Sequence, residues 1–307
     1  MVKSEIILAD CLDWMKWQAE NSMDFIVTDP PYGLKFMGKE WDHGLPGVEY
    51  WEEALRICKP ASMLASFGGT RTFHRLASAI EDSGWEIRDC IMWVYGSGFP
   101  KSHNNFGLEG YGTSLKPSYE PIILAMKPLD GTYKANAEKW GLGGINIDAS
   151  RIETKENLGR NNLKQDGISP FGVKDNSSFG NGKSSLFDKP IIEQGRWPAN
   201  LILDEEAGKL LDEQSGNSAS RFFYCAKASK NERNAGLDTP CSHPTVKPLS
   251  LMRYIIKLLA PPGNPILLDP FAGSGSTIVA AKELGINAIG IEKNEEYVEI
   301  ARKRVGL

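Results

Sequence analysis

The chain has 307 residues, of which 41% are hydrophobic and 24% charged, and its formal net charge is −4. This composition is that of an ordinary soluble globular protein with room for one large core domain. It holds no apolar run near the ~20 residues of a membrane span, and charges interrupt its apolar start, which predicts neither an anchor nor a signal peptide. The slight acidity argues mildly against a constitutive nucleic-acid coat protein, although a basic cleft can lie on an acidic body.

Residues 1–128 alternate apolar strands with amphipathic helices. The predicted strands are Glu5–Leu8, Met23–Thr28, Ser62–Phe67, Trp85–Tyr95 and Pro121–Ala125. The predicted helices are Cys11–Ala19, Tyr50–Cys58 and Thr72–Ser83. Such alternation is typical of βαβ units and of a mostly parallel sheet.

Residues 129–240 form a zone of different composition. Its stretch 157–189 is rich in Gly, Ser, Asn and Lys and has no clear periodicity. A loop of that length in a compact protein is usually functional or disordered. A short strand is predicted at Asn200–Leu203, with a helix after it.

Residues 241–307 read as helix, strand, helix, strand and helix. The predicted elements are the helix Leu249–Leu259, the strand Pro265–Leu268, a helix to about Leu284, the strand Ala288–Ile291 and the helix Glu295–Val305. Pro261-Pro262-Gly263 ends the first helix, and Gly285 ends the second.

A glycine-rich turn, Asp269-Pro270-Phe271-Ala272-Gly273-Ser274-Gly275-Ser276-Thr277, links the strand at 265–268 to its helix. Gly273 and Gly275 allow a sharp turn and close approach of a ligand, and Glu292 ends the next strand, where it could accept hydrogen bonds from a ribose. An ordinary tight turn and a dinucleotide site stay open at this point. However, Ile278 stands where GxGxxG requires its third glycine.

This segment resembles the DPFxGSGT cofactor motif of DNA amino-methyltransferases. The resemblance implies S-adenosyl-L-methionine as cofactor, with Gly273 and Gly275 at its methionine part and Glu292 at its ribose. Asp269 would line the amino-acid end, and Phe271 is included in the predicted cofactor site.

A second motif, Asp29-Pro30-Pro31-Tyr32, follows the apolar strand Met23–Thr28. An exocyclic amine of a base is a poor nucleophile, and a carboxylate from Asp29 and a rigidly presented Pro30 carbonyl can draw its N–H groups towards sp3 geometry. Tyr32 offers a stacking face for a base flipped out of the duplex. The alternative is a Pro-Pro turn with Asp29 as a turn residue and Tyr32 as packing.

The motif resembles the catalytic DPPY motif of N6-adenine and N4-cytosine methyltransferases. Cytosine enzymes more often begin it with Ser, so Asp29 favours adenine N6, with N4-cytosine as the alternative. The implied mechanism is direct in-line transfer in which the enzyme mainly orients the reactants. We therefore expect Asp29, Pro30, Pro31 and Tyr32 to be the catalytic residues.

Further segments fit the same family. Asp10, with Cys11 beside it, resembles the strand-end acid that contacts the cofactor's adenine, and Asp10 could also cap the following helix. Thr245 and Lys247 lie in an HPTxKP-like segment, 243–248, and could bind the methionine carboxylate. The aromatic stretch 93–101 resembles the wall of the target-base pocket, where Tyr95 or Phe99 could face the base or belong to the core.

Because the catalytic motif precedes the cofactor motif, the chain resembles the β class of DNA amino-methyltransferases. The resemblance implies a circularly permuted, Rossmann-like α/β fold. It divides the chain into a catalytic half at 1–128, a target-recognition region at 129–240 and a cofactor half at 241–307.

The implied partner is double-stranded DNA, read by Arg and Asn side chains of the region 129–240 such as the clusters Arg196-Trp197 and Arg221-Phe222-Phe223-Tyr224. An ordinary solvated insertion is the alternative for this region. β-class relatives are often dimers, which allows a homodimer, and a restriction nuclease would be a separate protein. Other functions left open are RNA methylation, an NAD-dependent oxidoreductase and a catalytically idle DNA-binding protein.

The five cysteines are an odd number without CxxC pairs, which predicts reduced thiols and a cytoplasmic location, in a host cell if the gene belongs to a phage. Cys225, Cys241 and His243 match no standard zinc spacing and lack an evident fourth ligand. No metal is therefore expected.

Overall fold

The computed structural model describes residues 2–34, 44–98, 102–103, 106–154, 195–226 and 246–307. The strands in these ranges are β1 (Ser4–Leu8), β2 (Met23–Thr28), β3 (Cys58–Phe67), β4 (Glu86–Val94), β5 (Tyr119–Met126), β6 (Leu201–Asp204), β7 (Tyr224–Ala226), β8 (Ile266–Asp269) and β9 (Asn287–Glu292). The α-helices are α1 (Cys11–Lys16), α2 (Val48–Ile57), α3 (Phe73–Asp82), α4 (Tyr133–Trp140), α5 (Glu205–Ser215), α6 (Leu249–Leu259), α7 (Ser276–Glu283) and α8 (Glu295–Val305).

The strands form one sheet in the order β1-β9-β8-β2-β3-β5-β4-β6-β7. β5 runs antiparallel to both β3 and β4, and the other neighbouring pairs are parallel. β8 and β2 are neighbours in this order. After β8 the chain continues to β9 on one side of this pair, and after β2 it continues to β3 on the other side, so the strand order reverses between them. Ligands bind at such a switch point, outside the carboxyl ends of the strands.

Helices cover both faces of this sheet. Along β2, Phe25 and Val27 join the core beneath α6 and α7, whereas Ile26 points to the opposite face, beneath α1, α2 and α3. Each of these three strand residues is fully buried. A central strand buried on both sides has no polar alternation, which explains why the apolar run in β2 marks it so clearly in the sequence.

The predicted Rossmann-like α/β fold is confirmed, and the predicted strands all exist with ends shifted by a few residues. The sequence analysis missed α4 and β7. α4 has little apolar surface, because its buried residue is Asn136, whose amide donates to the Pro60 and Leu142 carbonyls. The helix is nonetheless well capped, by Thr132 at its start and by left-handed Gly141 at its end.

β6 and β7 belong to the predicted target-recognition region, and they continue the sheet beyond β4. Tyr224 of β7 also stacks on Tyr254 of α6, with 3.9 Å between ring centroids. The described part of this region therefore packs directly on the core of the sheet. Among the described helices, none has both the length and the apolar character that crossing a membrane requires.

Asp24 ties three neighbouring strands together at the end of the sheet away from the switch point. Its Oδ1 lies 2.6 Å from Lys59 Nζ on β3, and its Oδ2 accepts a hydrogen bond of 2.7 Å from the Ile266 amide on β8. The residue is 7% exposed. A buried carboxylate with two such partners leaves both unsatisfied when it is removed.

We expect Asp24→Ala to lower the free energy of unfolding by about 2–3 kcal/mol, because Lys59 loses its ion-pair partner and the Ile266 amide loses its hydrogen-bond acceptor. Urea unfolding followed by circular dichroism measures this change. The control is Glu138→Ala, whose ion pair with Lys134 is largely exposed and contributes about 0.5 kcal/mol or less. Equal losses in the two variants would contradict the role assigned to Asp24.

Candidate active site

A cavity of about 460 Å³ opens at the carboxyl ends of β8, β2 and β9. This volume is in the range of sites for small organic ligands. The described residues that were predicted as site residues and that line it are Asp10, Cys11, Asp29, Pro30, Pro31, Tyr32, Lys247, Asp269, Phe271, Gly273 and Glu292. Gly275 lies behind the lining, and Thr245 falls outside the described residues, as do Phe99, Cys241 and His243.

The glycine turn between β8 and α7 forms one wall of the cavity. Gly273 and Gly275 have φ of +51° and +78°, which other residues rarely adopt. A Cβ on Gly275 would also lie 3.0 Å from the Ala301 side chain of α8. Arg304, again from α8, donates to the Ser274 carbonyl at 2.6 Å and to its hydroxyl at 2.9 Å. Helix α8 therefore fixes the turn from behind.

Glu292 ends β9 beside this turn. Its Oε2 accepts a 3.0 Å hydrogen bond from the Gly273 amide, and its Oε1 accepts one of 2.8 Å from the Asn294 amide. Burial raises the pKa of this carboxyl, against the effect of these backbone donors. Because each carboxylate oxygen has two lone pairs, the side chain can accept further hydrogen bonds from a ligand in the cavity.

Asp10 and Cys11 lie at the start of α1, on the same side of the cavity as Glu292. Asp10 caps the helix, as the sequence suggested, with Oδ1 accepting from the Leu12 amide at 2.9 Å and the Asp13 amide at 3.3 Å. Burial, followed by the charge of Asp10, raises the pKa of the Cys11 thiol to about 12. Cys11 is thus a protonated, apolar part of the wall, and it is unsuited to act as a nucleophile.

Asp269 connects the two predicted motifs. The Thr28 hydroxyl, at the end of β2, donates to Asp269 Oδ1 at 2.7 Å, and the Phe271 amide donates to the same oxygen at 3.1 Å. Burial raises the pKa of Asp269 to about 6, while hydrogen bonds from Thr277 and Thr28 lower it and the nearby charge of Asp29 raises it. The residue is 1% exposed, and its hydrogen bonds link the ends of β2 and β8. Its predicted place at the amino-acid end of the cofactor stays a prediction.

The Asp29-Pro30-Pro31-Tyr32 turn lies across the cavity from the glycine turn. Asp29 Oδ1 accepts a 2.8 Å hydrogen bond from the Tyr32 hydroxyl, and Asp29 Oδ2 lies 2.8 Å from Lys247 Nζ. Thr72 donates to the Tyr32 carbonyl at 2.8 Å, which fixes the end of the turn. Hydrogen bonds hold Tyr32 at its hydroxyl and its carbonyl, so its ring orientation is set before any ligand enters.

Glu120 is a charged residue of this site that was not predicted from the sequence. Its Oε2 lies 3.0 Å from both the Tyr32 hydroxyl and Lys247 Nζ. Burial would lower the pKa of Lys247, but Asp29 and Glu120 together raise it above its ordinary value, so the ammonium stays charged. The pKa of Tyr32 is raised well above normal by burial and then by the same two carboxylates.

The structure places Lys247 at the Asp29-Pro30-Pro31-Tyr32 turn, where it pairs with the carboxylates of Asp29 and Glu120. Its predicted contact with a methionine carboxylate stays a prediction. Tyr95 and Trp93 both line the cavity, with 5.4 Å between their ring centroids. Their place in a target-base pocket stays a prediction. In the sequence, Glu120 precedes the apolar run at 121–125, and only the antiparallel direction of β5 brings it to this edge.

The chain is similar to known proteins in sequence and in fold. A family model described as DNA methylase, of the N6/N4 methyltransferases, matches residues 23–303. The type II methyltransferase M.HpaI of Haemophilus parainfluenzae is 27% identical over 312 residues, which cover 98% of this chain and 73% of the relative. M.HinfI of Haemophilus influenzae is 25% identical, with coverage of 98% and 67%.

Two solved structures are similar in fold. The complex of M1.HpyAVI with SAM has a TM-score of 0.52 and 22% identity, and 98% of each chain is covered. The PvuII DNA methyltransferase, which is cytosine-N4-specific, has a TM-score of 0.54 and 16% identity, and the match covers 99% of this chain and 87% of that one.

Asp269 makes the stability of the protein depend on pH. Its pKa is raised from 3.8 to about 6 in the folded state, so ionisation opposes folding. The stability associated with the protonated carboxyl is complete below about pH 4 and is lost as the pH rises through about 6. Asp269→Asn has no such ionisation, so we expect wild type to lose up to about 3 kcal/mol relative to this variant between about pH 4 and 7.

Urea unfolding of both proteins across this range measures the difference. Glu138→Gln, a substitution on the exposed face of α4, is the control for general effects of pH. A difference between wild type and Asp269→Asn that stays constant with pH would show that Asp269 does not titrate as assigned.

Proposed function

The chain belongs to the N6/N4 family of DNA methylases, and from that premise we propose that it transfers a methyl group from S-adenosylmethionine to N6 of an adenine flipped out of DNA. The observation that carries the proposal is the single cavity that joins the two motifs. Asp29 and Tyr32 line one side, and Gly273 and Glu292 line the other. A methyl donor and an acceptor amine can therefore meet in one cavity.

The residues around the glycine turn fit the proposed cofactor. Glu292 offers carboxylate oxygens for ribose hydroxyls, and the positive φ of Gly273 brings backbone to the wall of the cavity without a side chain. Asp10, Cys11 and Phe271 would enclose its base, with Phe271 supported by Tyr50 at 6.1 Å between ring centroids. S-adenosylmethionine supplies an electrophilic methyl group on a positively charged sulfonium.

The catalytic turn suits an exocyclic amine. Asp29 is an anionic acceptor for one N–H, and Pro30 contributes a carbonyl without an amide of its own, since proline has no N–H. Two acceptors directed at the same nitrogen favour the sp3 geometry in which its lone pair attacks. The fixed ring of Tyr32 provides a face for stacking, which would offset part of the cost of flipping, about 1–3 kcal/mol for one base.

Adenine is favoured over cytosine by the first residue of the turn. Cytosine-N4 enzymes more often have Ser there, and this chain has Asp29. N4 of cytosine remains the alternative within the same family, since its amine makes the same chemical demands. The contacts of the turn argue against a catalytically idle binding protein. Asp29, Tyr32 and Lys247 are joined to one another by an ion pair and hydrogen bonds, which a binding surface does not need.

DNA contact is proposed for the region 129–240. Arg196 and Arg221 lie over the Phe222 ring, with 4.4 and 4.3 Å from guanidinium carbon to ring centroid, and Arg151 lies 5.4 Å over Trp197. The Trp197 side chain is 65% exposed. Guanidinium groups held on exposed aromatic rings are suited to phosphates and to guanine edges.

The proposal is tested by incubating the protein with unmethylated genomic DNA and S-adenosylmethionine and identifying the nucleosides by mass spectrometry. N6-methyladenine is expected, and N4-methylcytosine would overturn the choice of base.

Asp29→Ala should bind the cofactor with near-wild-type affinity and lose turnover by a factor of about 100 or more, because it removes an acceptor that the transition state needs. Near-normal turnover in this variant would contradict the assigned mechanism.

Glu292→Ala should act on the cofactor instead. We expect the dissociation constant for S-adenosylmethionine to rise by about tenfold to a hundredfold, since hydrogen bonds to a charged acceptor are lost. Isothermal titration calorimetry measures this affinity, and binding of DNA should change little. Glu299→Ala, on the exposed face of α8, is the matched control. An unchanged cofactor affinity in Glu292→Ala would place the ribose elsewhere.

A further inference from the structure

Lys247 lies between two carboxylates, and the mechanism above uses one of them. Its Nζ is 2.8 Å from Asp29 Oδ2 and 3.0 Å from Glu120 Oε2, and it also donates to the Tyr32 hydroxyl at 3.1 Å. The Lys247 side chain is 8% exposed, against 19% and 24% for the two carboxylates. The three protons of the ammonium thus all have acceptors within the protein.

We propose that Glu120 is a positioning residue for methyl transfer, which shares Lys247 and Tyr32 with Asp29 and so leaves the site one net negative charge beside the target amine. This inference rests on the proposed function. Without Glu120, Lys247 would pair with Asp29 alone, and the pair would be neutral. With Glu120 present, two carboxylates face one ammonium, and the site carries one net negative charge.

The sign of this charge matches the reaction. The amine lone pair forms the N–C bond while the electron pair of the broken C–S bond returns to sulfur. The positive charge therefore passes to the amine nitrogen and leaves with an N–H proton, which an anionic Asp29 is placed to accept. A fixed negative charge near a developing positive one stabilises the transition state, most strongly in a site shielded from water.

Two features show that Glu120 is held in this place by the fold. Glu120 pairs with Trp93 of the neighbouring strand β4. It lies at the start of β5, which is at the same edge of the sheet as the end of β2. The Tyr32 hydroxyl has one proton and lies within hydrogen-bonding distance of both Asp29 and Glu120, at 2.8 and 3.0 Å. The hydroxyl can therefore donate to either carboxylate but to one at a time, and both acids share this donor as they share Lys247.

The first test is Glu120→Gln, which keeps an amide oxygen facing Lys247 and removes the charge. We expect kcat to fall by about 30- to 100-fold, while KM for DNA and the cofactor dissociation constant stay within about threefold of wild type. The matched control is Glu86→Gln, at the opposite end of the same sheet region, which should leave kcat unchanged. Wild-type kcat in Glu120→Gln would overturn the proposal.

A second variant separates charge from structure. Glu120→Gln combined with Lys247→Gln restores one net negative charge, on Asp29 alone. We expect the double variant to turn over about tenfold faster than Glu120→Gln, whereas a purely structural role predicts a double variant that is slower than either single one. Glu120→Asp, which keeps the charge, should also be more active than Glu120→Gln. Failure of both rescues would overturn charge sharing.

The free energy of unfolding of the same variants gives a readout that does not need catalysis. Effects of Glu120→Gln and Lys247→Gln on the urea midpoint should be non-additive, since the side chains share one network. If wild type methylates no DNA nucleoside, the proposed function fails, and this coupling still decides whether the shared network exists. Strictly additive effects would show that it does not.

Discussion

The site depends on one pairing of strands, that of β2 with β8. Only Phe25 with Leu267 and Ile26 with Leu268 pair in the ladder, and the bond from Thr28 to Asp269 continues the link up to the cavity. That bond joins residues 241 positions apart. Because both strands are parallel and end at the same edge, the segments that follow them face each other. The catalytic turn and the glycine turn are those two segments.

Carboxyl groups from neighbouring parts of the sheet come close together at this edge, and neighbouring groups offset their mutual repulsion. Asp29, Asp269 and Glu120 bring three carboxyl groups to one small region, and like charges at short range oppose ionisation. The pKa of Asp269 rises to about 6 by burial, and Lys247 compensates for the other two. A buried cation between two carboxylates is costly to desolvate, so the ion pairs contribute little net stability to the fold.

Much of this arrangement could be predicted from the sequence because local patterns encode it. The buried run of β2, the positive-φ glycines at 273 and 275, and the acid at the end of β9 each leave a signature within a few residues. The predicted helices α6 and α8 match because both have apolar periodicity, prolines flank α6, and Asn294 and Gly306 cap α8. The pairing of the two motifs also followed, since parallel strands share a carboxyl edge.

The features that were not predicted depend mainly on how distant segments pack in three dimensions. Glu120 has no local signature, because its place at the site follows from the antiparallel course of β5, which brings the start of a strand to the edge where its neighbours end. Lys247 was assigned from its motif alone. Its ammonium contacts the carboxylates of Asp29, which follows β2, and of Glu120, near the start of β5. α4 was missed for a different reason, since its buried contact is an amide rather than an apolar stripe.

The order of the sheet also explains how the chain accommodates the region 129–240. This region enters after β5 and leaves before α6, and its strands β6 and β7 add to the free side of β4, four strands from β2. Residues inserted there extend the sheet without separating β2 from β8. The contact of Tyr224 with Tyr254 on α6, in turn, connects the region to the helix that packs beneath β2. The region 129–240 can therefore change in sequence while the Asp29-Pro30-Pro31-Tyr32 turn and the glycine turn keep their spacing.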